Sequence, residues 1–484
     1  MILLFLFLIS FSSGSYAQNT FLKTYGGTRF ETAYDVIPVN DKGFMMAGST
    51  TSFGKGKKDL YLLRTDSSGK EIWSSFFGDT GNDEGYSIES CSNFPLGGFV
   101  VLGTSERFNP DTKKDFFLIR FDENNKYLWS RYFGGTLDDE GRKVKRSSEG
   151  GFVLFGETKS FENTSRYFYL IKTDSTGIEE WSHVYGTFYD DFAVSMDVCS
   201  DRGYILFGHS KLGDGTTELL LIKCNDKGEE LWRKYIGGTK SEKAGKVLET
   251  KDRGFYLLGT TNSFDSITDD IMLIKTDSIG NILWKKFIDT KGTDVGIDMI
   301  QLTDGSLTLL CSSDSVGNYD MEDFYLIHTD SLGNIEWTNR WGSYNEDYPH
   351  ALANCGDSGV ALVGETYGFN QNQGAILLVK HNKGGDTTAF PVKIFQSTSV
   401  NDFPLPDDEI NFFPTPSGKY LNLTINNKIQ EPIKINILDL AGRTLFSQNV
   451  VKDKMIDIGF LRRGIYLIRI NIKEMVFYRK FLKI

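Results

Sequence analysis

Residues 64–78 read RTDSSGKEIWSSFFG. The same text returns, altered, as RFDENNKYLWSRYFGG (120–135), KTDSTGIEEWSHVYG (172–186), KCNDKGEELWRKYIGG (223–238), KTDSIGNILWKKFID (275–289) and HTDSLGNIEWTNRWG (328–342). Their tryptophans, Trp73, Trp129, Trp181, Trp232, Trp284 and Trp337, stand 51 to 56 residues apart. A fixed period of this size marks a repeat architecture.

Outward from each tryptophan, every period holds four strand-like runs divided by turn signals. In the second they are YSIES, GFVVLGTS, DFFLIRFD and YLWSRYFG. Turns such as Asn40-Asp41-Lys42-Gly43 and Asp66-Ser67-Ser68-Gly69 combine two devices. The Asp bonds backbone N–H groups, and the Gly supplies the positive φ that such turns need. Four antiparallel strands in roughly 50 residues is the pattern of a β-propeller blade.

The last copy, residues 351–386, has three such runs and no tryptophan. Its fourth strand is expected at the other end of the chain. Residues 21–26, FLKTYG, put Phe21 in the tryptophan slot and Tyr25 four residues on. Phe21 and the six tryptophans make seven. The sequence therefore predicts an all-β fold: a seven-bladed β-propeller over 18–390, its N-terminal strand closing the last blade. A linker (391–408) and a small C-terminal β-sandwich (409–484) follow. Pairing both ends of the chain in one sheet removes two open edges. An open solenoid, the alternative, would need polar caps at both ends.

The remaining composition bounds function. The 484 residues carry 53 Lys and Arg against 64 Asp and Glu, a net of −11, which argues against a nucleic-acid interface. Residues 391–484 run the other way, with 14 basic and 9 acidic side chains, as a unit of different character would. Five scattered cysteines and the absence of any CxxC support neither a disulfide framework nor a zinc site. They read as small buried apolar residues, with a Cys199–Cys224 bridge left open. The first 17 residues, MILLFLFLISFSSGSYA, are uncharged, and their apolar run is too short to span a bilayer. Ser15-Tyr16-Ala17 then offers a small-x-small site, so a signal peptide cleaved between Ala17 and Gln18 is expected. No later run is long and apolar enough for a transmembrane helix.

One column of the repeat is acidic throughout: Glu31, Asp83, Asp139, Asp191, Glu242, Asp294 and Asp347. Two residues on stand Ala33, Gly85, Gly141, Ala193, Ala244, Gly296 and Pro349. These segments enter the innermost strand of each blade. The carboxylates either ring one mouth of the channel and attract a cation, or accept bonds from backbone N–H groups of their own loops. Symmetric recurrence favours scaffold, so function is sought where the repeat breaks. The loops between second and third strands vary most, and exposed variation on a rigid scaffold is where binding resides. Phe53, Arg107, Phe108, Phe161, Tyr319, Tyr367 and Phe369 are the candidate ligand contacts there. Alternatively, each Ser-Phe phenylalanine plugs its loop against its own blade.

Catalysis finds little support. His183, His209, His328, His350 and His381 fall in different blades and form no metal motif, and no G-x-S-x-G appears. No cofactor is expected. A glycosidase would need two carboxylates at a set separation, which spacing alone does not reveal.

The Asp-turn-strand-Trp segment, from Phe21 to about Asp386, resembles the tryptophan-docking repeat of quinoprotein propellers and related secreted bacterial propellers. The resemblance implies that each tryptophan packs onto a neighbouring blade. The C-terminal module resembles the type A sorting domain of the type IX secretion system of Bacteroidetes. The matching residues are Phe413-Pro414-Thr415-Pro416-Ser417, Asp439-Leu440-Ala441-Gly442-Arg443, Ile456-Asp457, and Gly464-Ile465-Tyr466. That resemblance implies export by the type IX machinery to the cell surface or medium, with removal of the domain. The expected function is a secreted binding or scaffold protein whose loops hold a glycan or protein partner. An extracellular hydrolase or lyase acting on polysaccharide is the alternative.

Overall fold

The computed structural model describes residues 20–92, 97–106, 113–161, 165–186, 188–264, 268–314, 321–343, 345–357, 359–368, 374–382, 384, 410–413, 419–425, 433–438, 444–450, 454–472 and 475–483. Every element among them is a β-strand. The chain divides into two compact units, Met1–Ile394 and Phe395–Ile484.

Among the described residues, the first unit holds seven four-stranded antiparallel sheets. Sheets 1 to 6 cover residues 31–77, 83–133, 139–185, 191–236, 242–288 and 294–341, each a meander of four consecutive strands. Sheet 7 takes three strands from residues 347–381, and its fourth is Phe21–Tyr25, which runs antiparallel to Ala375–His381 with Phe21 opposite Lys380. The expected pairing of the two ends is thus present.

Middle strands of each sheet are buried along both faces, as Phe44–Thr50 and Phe152–Thr158 illustrate. They therefore read as near-continuous apolar runs rather than alternating ones. The sheets stack through apolar clusters that each draw on two neighbours. One joins Phe21, Tyr25, Ile376 and Leu378 of sheet 7 to Ala33, Phe44, Met46 and Tyr61 of sheet 1.

Tryptophan and turn glycine interlock between sheets. A Cβ on Gly177 would fall 2.5 Å from Trp129 of the preceding sheet, and one on Gly228 would fall 2.6 Å from Trp181. Both glycines also have positive φ, +79° and +80°. Only glycine meets both demands without strain. Where the second repeat has no glycine, Asn125 adopts φ +61° instead, a conformation its short side chain tolerates.

A basic residue stands in the third strand, two residues before the Asp or Asn of each turn. Lys172, Lys223, Lys275 and Lys380 are buried there, each bonding a turn residue of its own sheet, such as Asp201 to Lys223 (2.9 Å) and Asp357 to Lys380 (2.8 Å). Arg64, Arg120 and His328 hold the same place. All five cysteines are free thiols, so Cys199 and Cys224 are not bridged.

The second unit packs a three-stranded sheet against a four-stranded one. Leu421, Leu423 and Ile456 from the first meet Ile433, Ile435, Ile437, Ile468 and Ile470 from the second in a single core.

Candidate functional site

The first strands of successive sheets lie side by side, and that of sheet 7 also contacts that of sheet 1. Each begins at one of the seven acidic residues. All seven side chains are buried. Six of them turn back into their own loops. Glu31 accepts the Gly27 N–H at 2.6 Å, Asp139 that of Gly135 at 2.7 Å, Glu242 that of Gly238 at 3.1 Å and Asp294 that of Thr290 at 2.8 Å. Asp83 and Asp347 accept from Asp79 and Ser343. Hydroxyls of the next strand complete the shell, for example Thr261 and Ser263 on Glu242 at 2.9 and 2.6 Å. Burial pushes Asp83 up to about 6. In six of the seven sheets the carboxylate thus ties its own loop through a backbone N–H.

Three residues after every acid, the first strand bulges against its neighbour, at 33/35, 85/87, 141/143, 193/195, 244/246, 296/298 and 349/351. A bulge inserts one unpaired residue and re-aims its side chain. The residues so placed are Tyr34, Tyr86, Arg142, Val194, Gly245, Ile297 and His350. Here sevenfold likeness ends. Four consecutive sheets, 7, 1, 2 and 3, present planar polar groups, and sheets 4, 5 and 6 present small or aliphatic ones.

The planar groups touch in order. His350 lies 5.1 Å from Tyr34, Tyr34 lies 4.9 Å from Tyr86, and the Arg142 guanidinium stands 5.2 Å from the Tyr86 ring. Arg142 bonds Glu140 (2.8 Å) and Glu157 (3.3 Å), and Glu157 also holds Arg166 at 3.3 Å. Arg166 covers Phe192 at 5.2 Å, and Phe192 stacks on His209 at 5.0 Å. Lys58 pairs with Glu84 at 3.1 Å and Lys114 with Glu140 at 3.3 Å. Burial pushes both His350 and His209 down to about 4, so each is neutral at pH 7. Burial raises Glu157 despite the Arg142 charge beside it.

One residue beyond the bulge lies a second layer, which braces the inner strands. The Asp35 carboxylate of sheet 1 accepts from Ser87 Oγ at 3.0 Å, from the Ile88 N–H at 3.1 Å and from Lys143 Nζ of sheet 3 at 2.8 Å. Lys246 of sheet 5 meets Asp298 of sheet 6 at 2.7 Å, and Asp298 also accepts the Leu352 N–H at 2.8 Å. Ser87 and Ser195 accept the N–H groups of Val144 and Val247. Innermost strands have no partner on their free edge, and these side chains satisfy its amides. Burial works against the charge on Asp35, but Lys143 wins and holds the carboxyl below its usual range.

The loop candidates land elsewhere. Phe53 stacks on Tyr61 and Phe76 at 5.9 and 6.3 Å, and Phe161 tilts against Tyr169 at 5.3 Å, each within its own sheet. Tyr367 packs between Phe30 and Tyr348. Arg107, Phe108, Tyr319 and Phe369 lie outside the described residues, as do Ala17, Gln18, Pro414, Pro416, Asp439 and Gly442. Gly464 opens its strand, and the Tyr466 hydroxyl donates to the Arg462 carbonyl at 2.9 Å. His183, His328 and His381 pack on Trp181, Trp337 and Trp341. Spacing singled out none of the bulge residues as a group. Their sequence signal is a heterogeneous column three residues after the acidic one.

Residues 411–483 match a family profile described as a secretion system C-terminal sorting domain. The type IX sorting reading of the C-terminus therefore holds, and it implies export to the cell surface or secretion. Among curated proteins, "Regulatory protein FlaEY" of Caulobacter vibrioides is 25% identical over 170 residues, 31% of this chain. The chain spans 18% of that protein's length. Among solved structures, a protein of unknown function from Dyadobacter fermentans aligns over 74% of this chain and 98% of its own, at 10% identity and a TM-score of 0.42. The β-propeller domain of the trilobed protease from Pyrococcus furiosus aligns over 76% and 99%, at 10% identity and a TM-score of 0.44. Among the described residues, no helix is long and apolar enough to cross a membrane.

Proposed function

We propose that the chain is an extracellular binding protein. Its seven sheets form a closed seven-bladed propeller of the tryptophan-docking type, and the sorting domain is its address. Residues 1–17 act as the signal peptide, and 391–408 join the two folded parts. Closure is supported by a bond that repeats between neighbours. The backbone N–H of the acidic residue donates to the sheet before it: Asp83 to Lys58, Asp294 to Asp269, Asp347 to Glu322, and Glu31 to Gly374 of sheet 7.

The observation that carries the functional reading is the broken symmetry at the seven bulges. Scaffold positions repeat, whereas a specific ligand needs unlike groups at one place. The arc from His350 to Arg142 supplies aromatic faces, a guanidinium and carboxylates on the acidic-loop face of the channel. One residue further along these strands the Asp35–Lys143 and Lys246–Asp298 pairs bridge sheets, and in this reading they floor a cup walled by the arc. Glycan and protein arrays probed with the purified chain test this. Retained ligand without turnover is expected, lost in Tyr34→Ala.

A second reading, a polysaccharide hydrolase or lyase, has one specific observation in its favour. Glu140 and Glu157 meet at one guanidinium nitrogen, and burial raises Glu157. Unlike carboxylates held close together are what glycosidases use. Here both are engaged by cations, which favours the binding reading. Release of product from a glycan in the same assay would reverse that order.

A further inference from the structure

We infer that the cup binds uncharged carbohydrate, with the planar groups as platforms and the paired carboxylates as hydroxyl acceptors; this deepens the binding reading above and rests on it. The platforms come first. His350, Tyr34, Tyr86 and Arg142 follow one another at 4.9 to 5.2 Å, and Arg166, Phe192 and His209 continue the row beyond Glu157. Rigid rings offer contact area at low entropic cost, and flat faces suit the C–H faces of sugar rings.

Charge then narrows the class. Each cation on this wall already faces a carboxylate: Lys58 faces Glu84, Lys114 faces Glu140, and Arg142 and Arg166 face Glu157. An anionic ligand would have to displace a carboxylate, and a cationic one a cation. Either would leave a charge unpaired in a half-buried site, which is costly. A neutral hydroxyl has no such requirement. An ionised carboxylate offers about four lone-pair sites, so a paired glutamate can still accept from a sugar. The neutral His350 adds a group of its own: its Nε2 is buried and has no partner among the described residues.

A peptide fits less well. Peptides commonly bind by adding a strand to an open edge. The edge amides of Ile88, Val144, Val247 and Leu352 are already bonded, by Asp35, Ser87, Ser195 and Asp298.

The test places the purified full chain on neutral gluco-, manno-, galacto- and xylo-oligosaccharides, with oligogalacturonate and a peptide array alongside. Calorimetry on the tightest neutral binder then compares wild type with Tyr86→Ala, Phe192→Ala and, as a control, Leu283→Ala, an exposed side chain on the fourth strand of sheet 5. Neutral oligosaccharide should bind. Loss of a platform should weaken it about tenfold or more, as for an anchor residue, with the control unchanged. If Tyr86→Ala does not fold, His350→Gln takes its place with the same expectation. Binding of oligogalacturonate or peptides alone would overturn the carbohydrate inference and leave the binding reading standing. Neutral binding insensitive to both platform variants would overturn the location. Silence on every array would overturn the inference and the binding reading together.

Discussion

Phe21 stands against Gly69, forty-eight residues away and in the next sheet: a Cβ on Gly69 would fall 2.6 Å from Phe21 Cε2. The Tyr25 hydroxyl donates to the Gly69 carbonyl. Trp181 and Tyr185 engage Gly228 in the same way within the repeat. The N-terminal strand therefore docks as the tryptophan strands do.

Removing it should open an apolar edge. Deletion of residues 18–26 is expected to aggregate the first unit or lower its melting temperature sharply. Phe21→Ala should cost about 3–5 kcal/mol in denaturant melts, as for a large buried aromatic. An unchanged melt in both would disprove docking.

The acidic column should behave as loop capping. Asp139→Ala leaves the Gly135 N–H and the Thr158 hydroxyl without their acceptor, at about 1–3 kcal/mol for buried groups. Added calcium should not move the wild-type melt. A large calcium-dependent rise, lost in Asp139→Ala, would show a cation site instead.

Asp83 should make stability fall as pH rises. Its folded pKa, near 6 because of burial and then the Asp79 and Asp59 charges, lies above the unfolded value of about 3.9. Between those values the folded state holds the proton that the unfolded state has released. Stability from this group is therefore full below about 4 and lost as pH rises through about 6. Asp83→Asn cannot titrate, so its melting temperature relative to wild type should increase from pH 4 to pH 7. A constant difference would contradict the raised value.

The Asp35–Lys143 pair should show strong coupling. Lys143→Met leaves a buried carboxylate unpaired, at about 3–5 kcal/mol. Adding Asp35→Asn should recover much of that loss. Additive losses in the double-mutant cycle would mean that the pair contributes nothing between sheets 1 and 3.

Passage from the periplasm to the surface should depend on the second unit. Since each unit has its own core, deletion of 409–484 should leave the first folded but held in the periplasm. Fusing 391–484 to a periplasmic reporter in a type IX-competent cell should send it to the surface or medium, read by fractionation. A reporter that stays periplasmic would refute the sorting role in this chain.

The sequence alone determined what neighbours along the chain decide. Short strand-like runs, Asp and Gly turn signals and a tryptophan every fifty-odd residues specify four-stranded sheets, because hairpin register depends on turn residues only a few positions apart. The missing tryptophan of the last copy and Phe21 in its slot even located the partner of the first strand. Tertiary structure alone decided the site. Tyr34, Tyr86, Arg142 and His350 converge because a bulge at the same step of each first strand aims them at a shared space. Asp35 of sheet 1 meets Lys143 of sheet 3 only after three sheets have stacked and twisted into place. Such contacts depend on accumulated geometry between units, which leaves no spacing in the text to read.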